Sequence, residues 1–261
     1  MSPWRFWCPA ALLLAGAALA QPGDKPVSRV AEPERARGNS RTVQVAVIDY
    51  ALADRNADRF PEAVENLLAY LRTVPDLGLQ GQSESTRLDN LPAADPRPIL
   101  LYMTGNSATL KLSDAEKANL GKLLQQGALL FAEEIRQSDA TAGLQGRGAG
   151  VADTPFDRQF KELMRDRLVL GPQGQQWEKV PRSHPLYSCF YEFSDGPPRG
   201  GAPGAEVTDL EMLQLRGRPA VIFSDLNISW YWGDPQCRNR ERGLQFGVNL
   251  LIFALTQGLA P

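Results

Sequence analysis

Apolar residues fall into short runs of strand length that alternate with segments of helical period. The first run, Thr42-Val43-Gln44-Val45-Ala46-Val47-Ile48-Asp49, is rich in β-branched residues and closes on polar ones. That predicts a buried strand entering a loop at Asp49 and Tyr50. Pro61 suits the first turn of a helix, and Val64, Leu67, Leu68 and Leu71 recur at helical spacing up to Arg72. The stretch from Pro98 to Met103 predicts a second interior strand, closed by the turn Thr104-Gly105-Asn106. Ser113-Asp114-Ala115-Glu116 has the spacing of a capping box, in which Ser and Glu satisfy exposed backbone amides. Leu120, Leu123 and Leu124 supply the buried stripe of that helix, and Gly127 stops it. Ala128-Leu129-Leu130-Phe131-Ala132 reads as a third buried strand ending in Glu133-Glu134. After a glycine-rich loop, Thr154-Pro155 opens a helix with Phe156, Phe160, Leu163 and Met164 on one face.

The last third contains His184-Pro185-Leu186-Tyr187 and a Gly- and Pro-rich excursion from Gly196 to Gly204 that reads as loop. Leu210 to Leu215 and Ala220 to Ser224 are strand-like runs flanking Arg216-Gly217-Arg218-Pro219, so a hairpin is expected. An amphipathic helix from about Arg242 to Thr256, ended by Gly258, finishes the chain. Strands alternating with helices of these lengths imply an α/β, three-layer doubly wound fold: a mainly parallel sheet covered on both faces.

The amino terminus follows a different pattern. Arg5 precedes an uninterrupted apolar run from Ala10 to Ala20, and Ala18-Leu19-Ala20 provides a small-x-small site before Gln21. This is the layout of a secretory signal peptide over residues 1–20, and the run is too short to span a bilayer. The expected location is therefore periplasmic or secreted, with no stable membrane anchor after cleavage. A Pro-, Arg- and Glu-rich stretch over 21–40 reads as a linker, leaving 41–261 as one domain large enough for a proper core.

A formal net charge of −2, with basic residues scattered among acidic ones, gives no electrostatic footprint for nucleic acid. Cys189 and Cys237 are the cysteines of the mature part, and an oxidising compartment permits them to pair, although two separate buried thiols fit equally well.

Taken in order, these residues resemble the prokaryotic domain-of-unknown-function family 4159. The resemblance rests on Leu101-Tyr102-Met103-Thr104-Gly105, on Leu112-Ser113 with Glu116 and Leu120, and on the run from Gly127 to Glu134. It continues through Phe156-Asp157 with Phe160, His184-Pro185-Leu186-Tyr187, the run from Gly217 to Ser224, and Gly247-Val248-Asn249-Leu250. It implies a flavodoxin-like fold similar to class I glutamine amidotransferases and trehalose-utilisation-like proteins. An amidotransferase needs a cysteine nucleophile on the turn after the third strand. This chain has Glu133 and Glu134 there, which argues against glutaminase chemistry.

In open parallel sheets ligands bind beyond the carboxyl ends of the strands. That rule selects Asp49, Tyr50, Thr104, Gly105, Asn106, Glu133, Glu134 and the segment from Asp225 to Asp234. The last places Asp225 and Asp234 beside Trp230, Tyr231 and Trp232 in an expected loop. Such rings and carboxylates suit a sugar cleft, or else the tryptophans plug the end of the core. His184, the single histidine, is a candidate base or turn-holding residue, and Glu133 and Glu134 are candidate paired carboxylates if both lie in the turn. One histidine without closely spaced cysteines points to no metal, and dinucleotide and phosphate-loop fingerprints are missing, so no cofactor is expected. Three readings follow: binding of an envelope protein or carbohydrate-like ligand at the strand-end rim; a hydrolase or sugar-modifying enzyme using His184 with Glu133 or Glu134; and an envelope-complex scaffold contacting partners through the Gly196–Gly204 loop.

Overall fold

The computed structural model describes residues 28–29, 41–50, 60–75, 77–92, 98–106, 109–136, 154–198 and 208–257. The expected signal peptide, most of the linker, the glycine-rich loop after Arg136, residues 199–204 of the proline-rich excursion and Gly258 lie outside them.

The elements are β1 (Ser28–Arg29), β2 (Arg41–Ile48), α1 (Ala63–Thr73), β3 (Leu79–Thr86), β4 (Leu100–Gly105), α2 (Asp114–Gln125), β5 (Leu129–Glu134) and α3 (Pro155–Arg165). They continue with β6 (Glu178–Lys179), β7 (Tyr191–Glu192), β8 (Glu211–Leu215), β9 (Arg218–Ser224), α4 (Ile228–Gly233) and α5 (Arg240–Gln257). A seven-stranded sheet has the order β3-β2-β4-β5-β9-β8-β6, and β1 pairs separately with β7. From β3 to β9 neighbours are parallel, while β8 runs antiparallel to both β9 and β6. The chain is thus α/β with a mostly parallel mixed sheet, compatible with a Rossmann or flavodoxin-like class.

Strand alternation divides the core. Val43, Val45, Leu129, Phe131 and Ile222 face a cluster built with α1, α4 and α5, whereas Ala46, Leu130, Ala132 and Val221 face one built with α2 and α3. Covered on both sides, β4 and β5 are buried at every position, which is why the first four residues of each read as an unbroken apolar run. Local signals hold where they were strongest. Ser113 and Glu116 form the capping box of α2, and Thr154 caps α3 with Pro155 in its first turn. Gly127 turns the chain out of α2 at φ 108. Arg216 and Gly217, both at positive φ, join β8 to β9.

Two elements differ from the sequence pattern. β3 is an edge strand of largely exposed polar residues, so no apolar alternation announces it. The segment after Asp225, expected as loop, contains the helical turns of α4.

Candidate functional site

The carboxyl ends of β4, β5 and β9 meet at one rim, where Glu133 and Glu134 are the last residues of β5. Because both lie inside the strand, they point to opposite faces. Glu133 is fully buried toward α4. Its carboxylate accepts from Ser224 Oγ at 2.8 Å, the Ile228 N–H, the Ser229 N–H at 2.8 Å, and Ser229 Oγ. The residue preceding α4, Asn227, is left-handed at φ 53 and makes no side-chain cap, so Glu133 satisfies the orphan amides of that helix from the neighbouring strand. Burial pushes its pKa upward, and donors from Ser229, Ser224 and Ile228 hold part of that rise back.

Glu134 turns toward α3. Its Oε1 accepts the Thr154 N–H at 2.9 Å, which ties the start of α3 to the sheet. Its Oε2 lies 3.6 Å from Nε of Arg136, too long for a hydrogen bond, and neither atom has a hydrogen-bond partner among the described residues. The Arg136 guanidinium also meets Asp225 Oδ2 at 3.1 Å. Asn227 fixes the Arg136 backbone from both sides: its Oδ1 accepts the Arg136 N–H and its Nδ2 donates to the Arg136 carbonyl, each at 2.7 Å. Just past β4, Asn106 Nδ2 donates to the Ile135 carbonyl, and the Ile135 N–H donates to the carbonyl of Gly105, the last residue of β4, at 2.7 Å. The chain leaving β5 is therefore clamped between the ends of its two neighbours. Burial pushes the Asp225 carboxyl up to about 7, with Arg136 pulling it down and Glu134 pushing it up. Burial likewise raises Glu134, against the pull of Arg136.

Arg136 had no signature in the sequence beyond standing two residues past a strand end. That position alone could have flagged it.

The other expected site residues are placed as follows. Asp49 is half-buried and its N–H bonds the Thr86 carbonyl at 2.9 Å. Tyr50 is buried, donates from its hydroxyl to the Thr104 carbonyl at 2.8 Å, and packs against Phe156 with ring centroids 5.9 Å apart. Thr104 and Gly105 are buried, and a Cβ on Gly105 would stand 2.2 Å from both Phe156 Cδ2 and the Tyr50 hydroxyl. The crevice between β2 and β4, where successive strands begin to add on the other side, is thus filled by Tyr50 and Phe156.

In α4, Trp232 is 1 % exposed, donates from Nε1 to the Gly243 carbonyl at 2.8 Å, and lies against Phe131 and Tyr102. Tyr231 is also buried. The expected three-ring platform is reduced to half-buried Trp230, whose Nε1 donates to Asp234 Oδ2 at 2.9 Å.

His184 does not join the carboxylates by any hydrogen bond. Its Nδ1 accepts the Leu186 N–H at 3.2 Å, holding a short 3-10 turn, and its ring meets Phe253 edge-on at 5.1 Å. Burial lowers its pKa. Trp232 contacts α5 at Gly243, and from there to Phe253 the helix advances about 15 Å at about 1.5 Å per residue. His184 thus packs on the carboxyl-terminal part of α5, whereas Glu133 caps the start of α4.

Cys189 and Cys237, which the sequence allowed to pair, are free thiols. The Cys189 thiol donates to the Asn249 carbonyl and that of Cys237 to the Arg238 carbonyl, and burial pushes both up to about 12. Among the described residues no group of three His, Cys, Asp or Glu side chains is placed to hold a metal ion. Among them, too, no helix is long and apolar enough to cross a membrane.

Comparison with curated proteins returns no match. The family profile of the domain of unknown function DUF4159 matches residues 44–255, from β2 through nearly all of α5. The match spans every element of the rim described above, and the chain belongs to the DUF4159 family.

Proposed function

We propose that this chain is an exported binding domain that engages a glycan-like ligand or an envelope partner at the strand-end rim, without using His184 for catalysis. The observation behind this reading is the use already made of the charged groups. Glu133 is saturated by four hydrogen bonds from Ser224, Ile228 and Ser229, and His184 is engaged in a turn against α5. What remains at the rim is Glu134, Arg136 and Asp225, two carboxylates on one guanidinium. Export rests on the signal-like amino terminus. An amidotransferase-like doubly wound fold is supported by the parallel order β3-β2-β4-β5-β9, in which the chain starts inside the sheet and adds strands first on one side, then on the other.

The test combines retention and turnover. Purified protein should be retained on isolated envelope material, retention should be lost in Asp225→Arg, and it should survive in His184→Ala. Hydrolysis of a glycoside, amide or ester that disappears in His184→Ala would overturn the reading in favour of the enzyme.

A further inference from the structure

β3 ends the seven-stranded sheet, and among the described residues it pairs only with β2. An open strand edge is a template for another chain, and proteins blunt such edges by shortness, charge, proline or a bulge. The opposite edge is blunted in this way: β6 has two residues, Glu178 and Lys179. β3 is not. It is eight residues long and matches β2 residue for residue, from Arg41 with Leu79 to Ile48 with Thr86. It holds no proline and no lysine, and its one charge is Glu84.

Two hydrogen bonds show which way its backbone groups point. In a parallel pair each residue presents its N–H and C=O to the same side, and successive residues alternate. The N–H of Asp49, the residue after β2, donates to the Thr86 carbonyl, so Gln80, Gln82, Glu84 and Thr86 face β2. Leu79, Gly81, Ser83 and Ser85 therefore face outward. Arg72 agrees with this assignment, since its guanidinium reaches from α1 to the Gly81 carbonyl at 3.2 Å. That oxygen keeps a second lone pair. Side chains alternate as well. Gly81 lies against Leu68 of α1, so Gln80, Gln82 and Glu84, all exposed, share the other face of the strand.

We infer that β3 pairs antiparallel with β3 of a second copy of this chain, about a two-fold axis through Gln82, joining the two sheets edge to edge. The strand itself sets this register. With the axis at Gln82, Leu79 pairs with Ser85 and Gly81 with Ser83 in both directions, so every outward residue exchanges hydrogen bonds with an outward residue. Glu84 then stands opposite Gln80, and Gln82 opposite its own copy, so no charge meets a like charge. An axis at Gly81 or Ser83 leaves an outward residue without a partner in the strand. An axis at Glu84 sets two carboxylates face to face. Addition of a foreign peptide would take its specificity from side-chain pockets, whereas Gln80, Gln82 and Glu84 form an exposed polar row matched by its own reverse. This inference is independent of the rim-binding reading.

The experiment is sedimentation velocity of the purified full chain. One added ladder makes a small interface, so a dimer with a dissociation constant of roughly 1–100 µM is expected. Gln82→Glu and Gln82→Lys each place like charges on the axis at an exposed side chain and should weaken association about fivefold or more. An equimolar mixture of the two should recover dimer at wild-type affinity or better, because opposite charges then meet. Ser83→Pro removes an outward N–H that β2 does not use, and should abolish the dimer with an unchanged circular dichroism spectrum. A chain that stays monomeric up to about 500 µM overturns the inference. So does a dimer indifferent to Gln82→Glu, or a charge-swapped mixture that fails to recover. If Ser83→Pro does not fold, the mixture decides.

Discussion

Replacing Glu133 by glutamine tests whether this carboxylate is a structural cap rather than a catalytic group. The side chain keeps its volume, so no cavity term enters. Its Oε1 accepts from Ser224 Oγ and the Ile228 N–H, and its Oε2 from the Ser229 N–H and Oγ. Each carboxylate oxygen thus faces one backbone donor. Whichever way the new amide is turned, its NH2 group opposes one of those N–H groups, leaving a buried donor unsatisfied at about 1–3 kcal/mol. Losing the charge also weakens the remaining bonds, so a total near about 2–3 kcal/mol is expected for Glu133→Gln. For a domain of this size that lowers the melting temperature by roughly 4–10 °C. Glu133→Ala strands both amides and adds a cavity, for about 4–6 kcal/mol, a large part of a typical folding free energy. Urea unfolding followed by tryptophan fluorescence suits the measurement, since Trp232, in α4, packs on Phe131 of β5. A Glu133→Gln protein within about 0.5 kcal/mol of wild type would refute the capping argument.

Asp225 gives a pH signature. Its folded pKa, raised to about 7 from 3.8, means that the stabilisation from its bound proton is complete below about pH 4 and is lost as pH rises through about 7. Asp225→Asn should therefore gain stability relative to wild type between pH 5 and pH 8, read from paired thermal melts; a constant difference would contradict the assignment. Asn249 is fully buried, donates to the carbonyls of Leu186 and Tyr191 and accepts the Tyr191 N–H. Asn249→Ala leaves three backbone groups unmet and should cost about 3–5 kcal/mol in chemical denaturation, with a loss under 1 kcal/mol counting against it. Gly105→Ala should destabilise by at least about 1–3 kcal/mol because Tyr50 and Phe156 already occupy its Cβ position. For the thiols, maleimide labelling should be slow in the native protein and should reach both Cys189 and Cys237 in denaturant without reductant, whereas a mass lower by two hydrogens would reveal a disulfide.

What the sequence made legible follows from how each element is buried. The strands β4, β5 and β9 are covered on both faces, so every position is under the same apolar demand and the run is visible without knowing the fold. α2 carries its own cap, Ser113 and Glu116, three residues apart in sequence, and reads equally well. β3 answers to a single neighbour, β2, and its one buried position is Gly81, which presses on Leu68 so closely that a Cβ would lie 2.3 Å from Leu68 Cδ2. A glycine needed for close approach leaves no hydrophobic trace. The rim residues Asn106, Glu133, Glu134 and Asp225 were located by the strand-end rule, but their roles depended on where β5 stops. The strand runs to Glu134 rather than Ala132, and those two residues divide what looked like a paired-carboxylate site between opposite faces of the sheet.

α4 shows the deeper reason why a site is harder to read than a fold. Nothing local starts this helix: Asn227 is left-handed and uncapped, and the segment is short and aromatic. Its first amides are satisfied by a carboxylate 95 and 96 residues earlier in the chain. The same Asn227 spends its side chain on the backbone of Arg136, 91 residues away, and so fixes the guanidinium beside Glu134 and Asp225. One acidic residue of β5 is therefore committed to building α4, and α4 in turn positions the arginine that meets the other. The adjacent glutamates, equivalent in sequence, differ in surroundings: Glu133 spends both oxygens on hydrogen bonds, while Glu134 Oε2 meets Arg136 only as an ion pair at 3.6 Å.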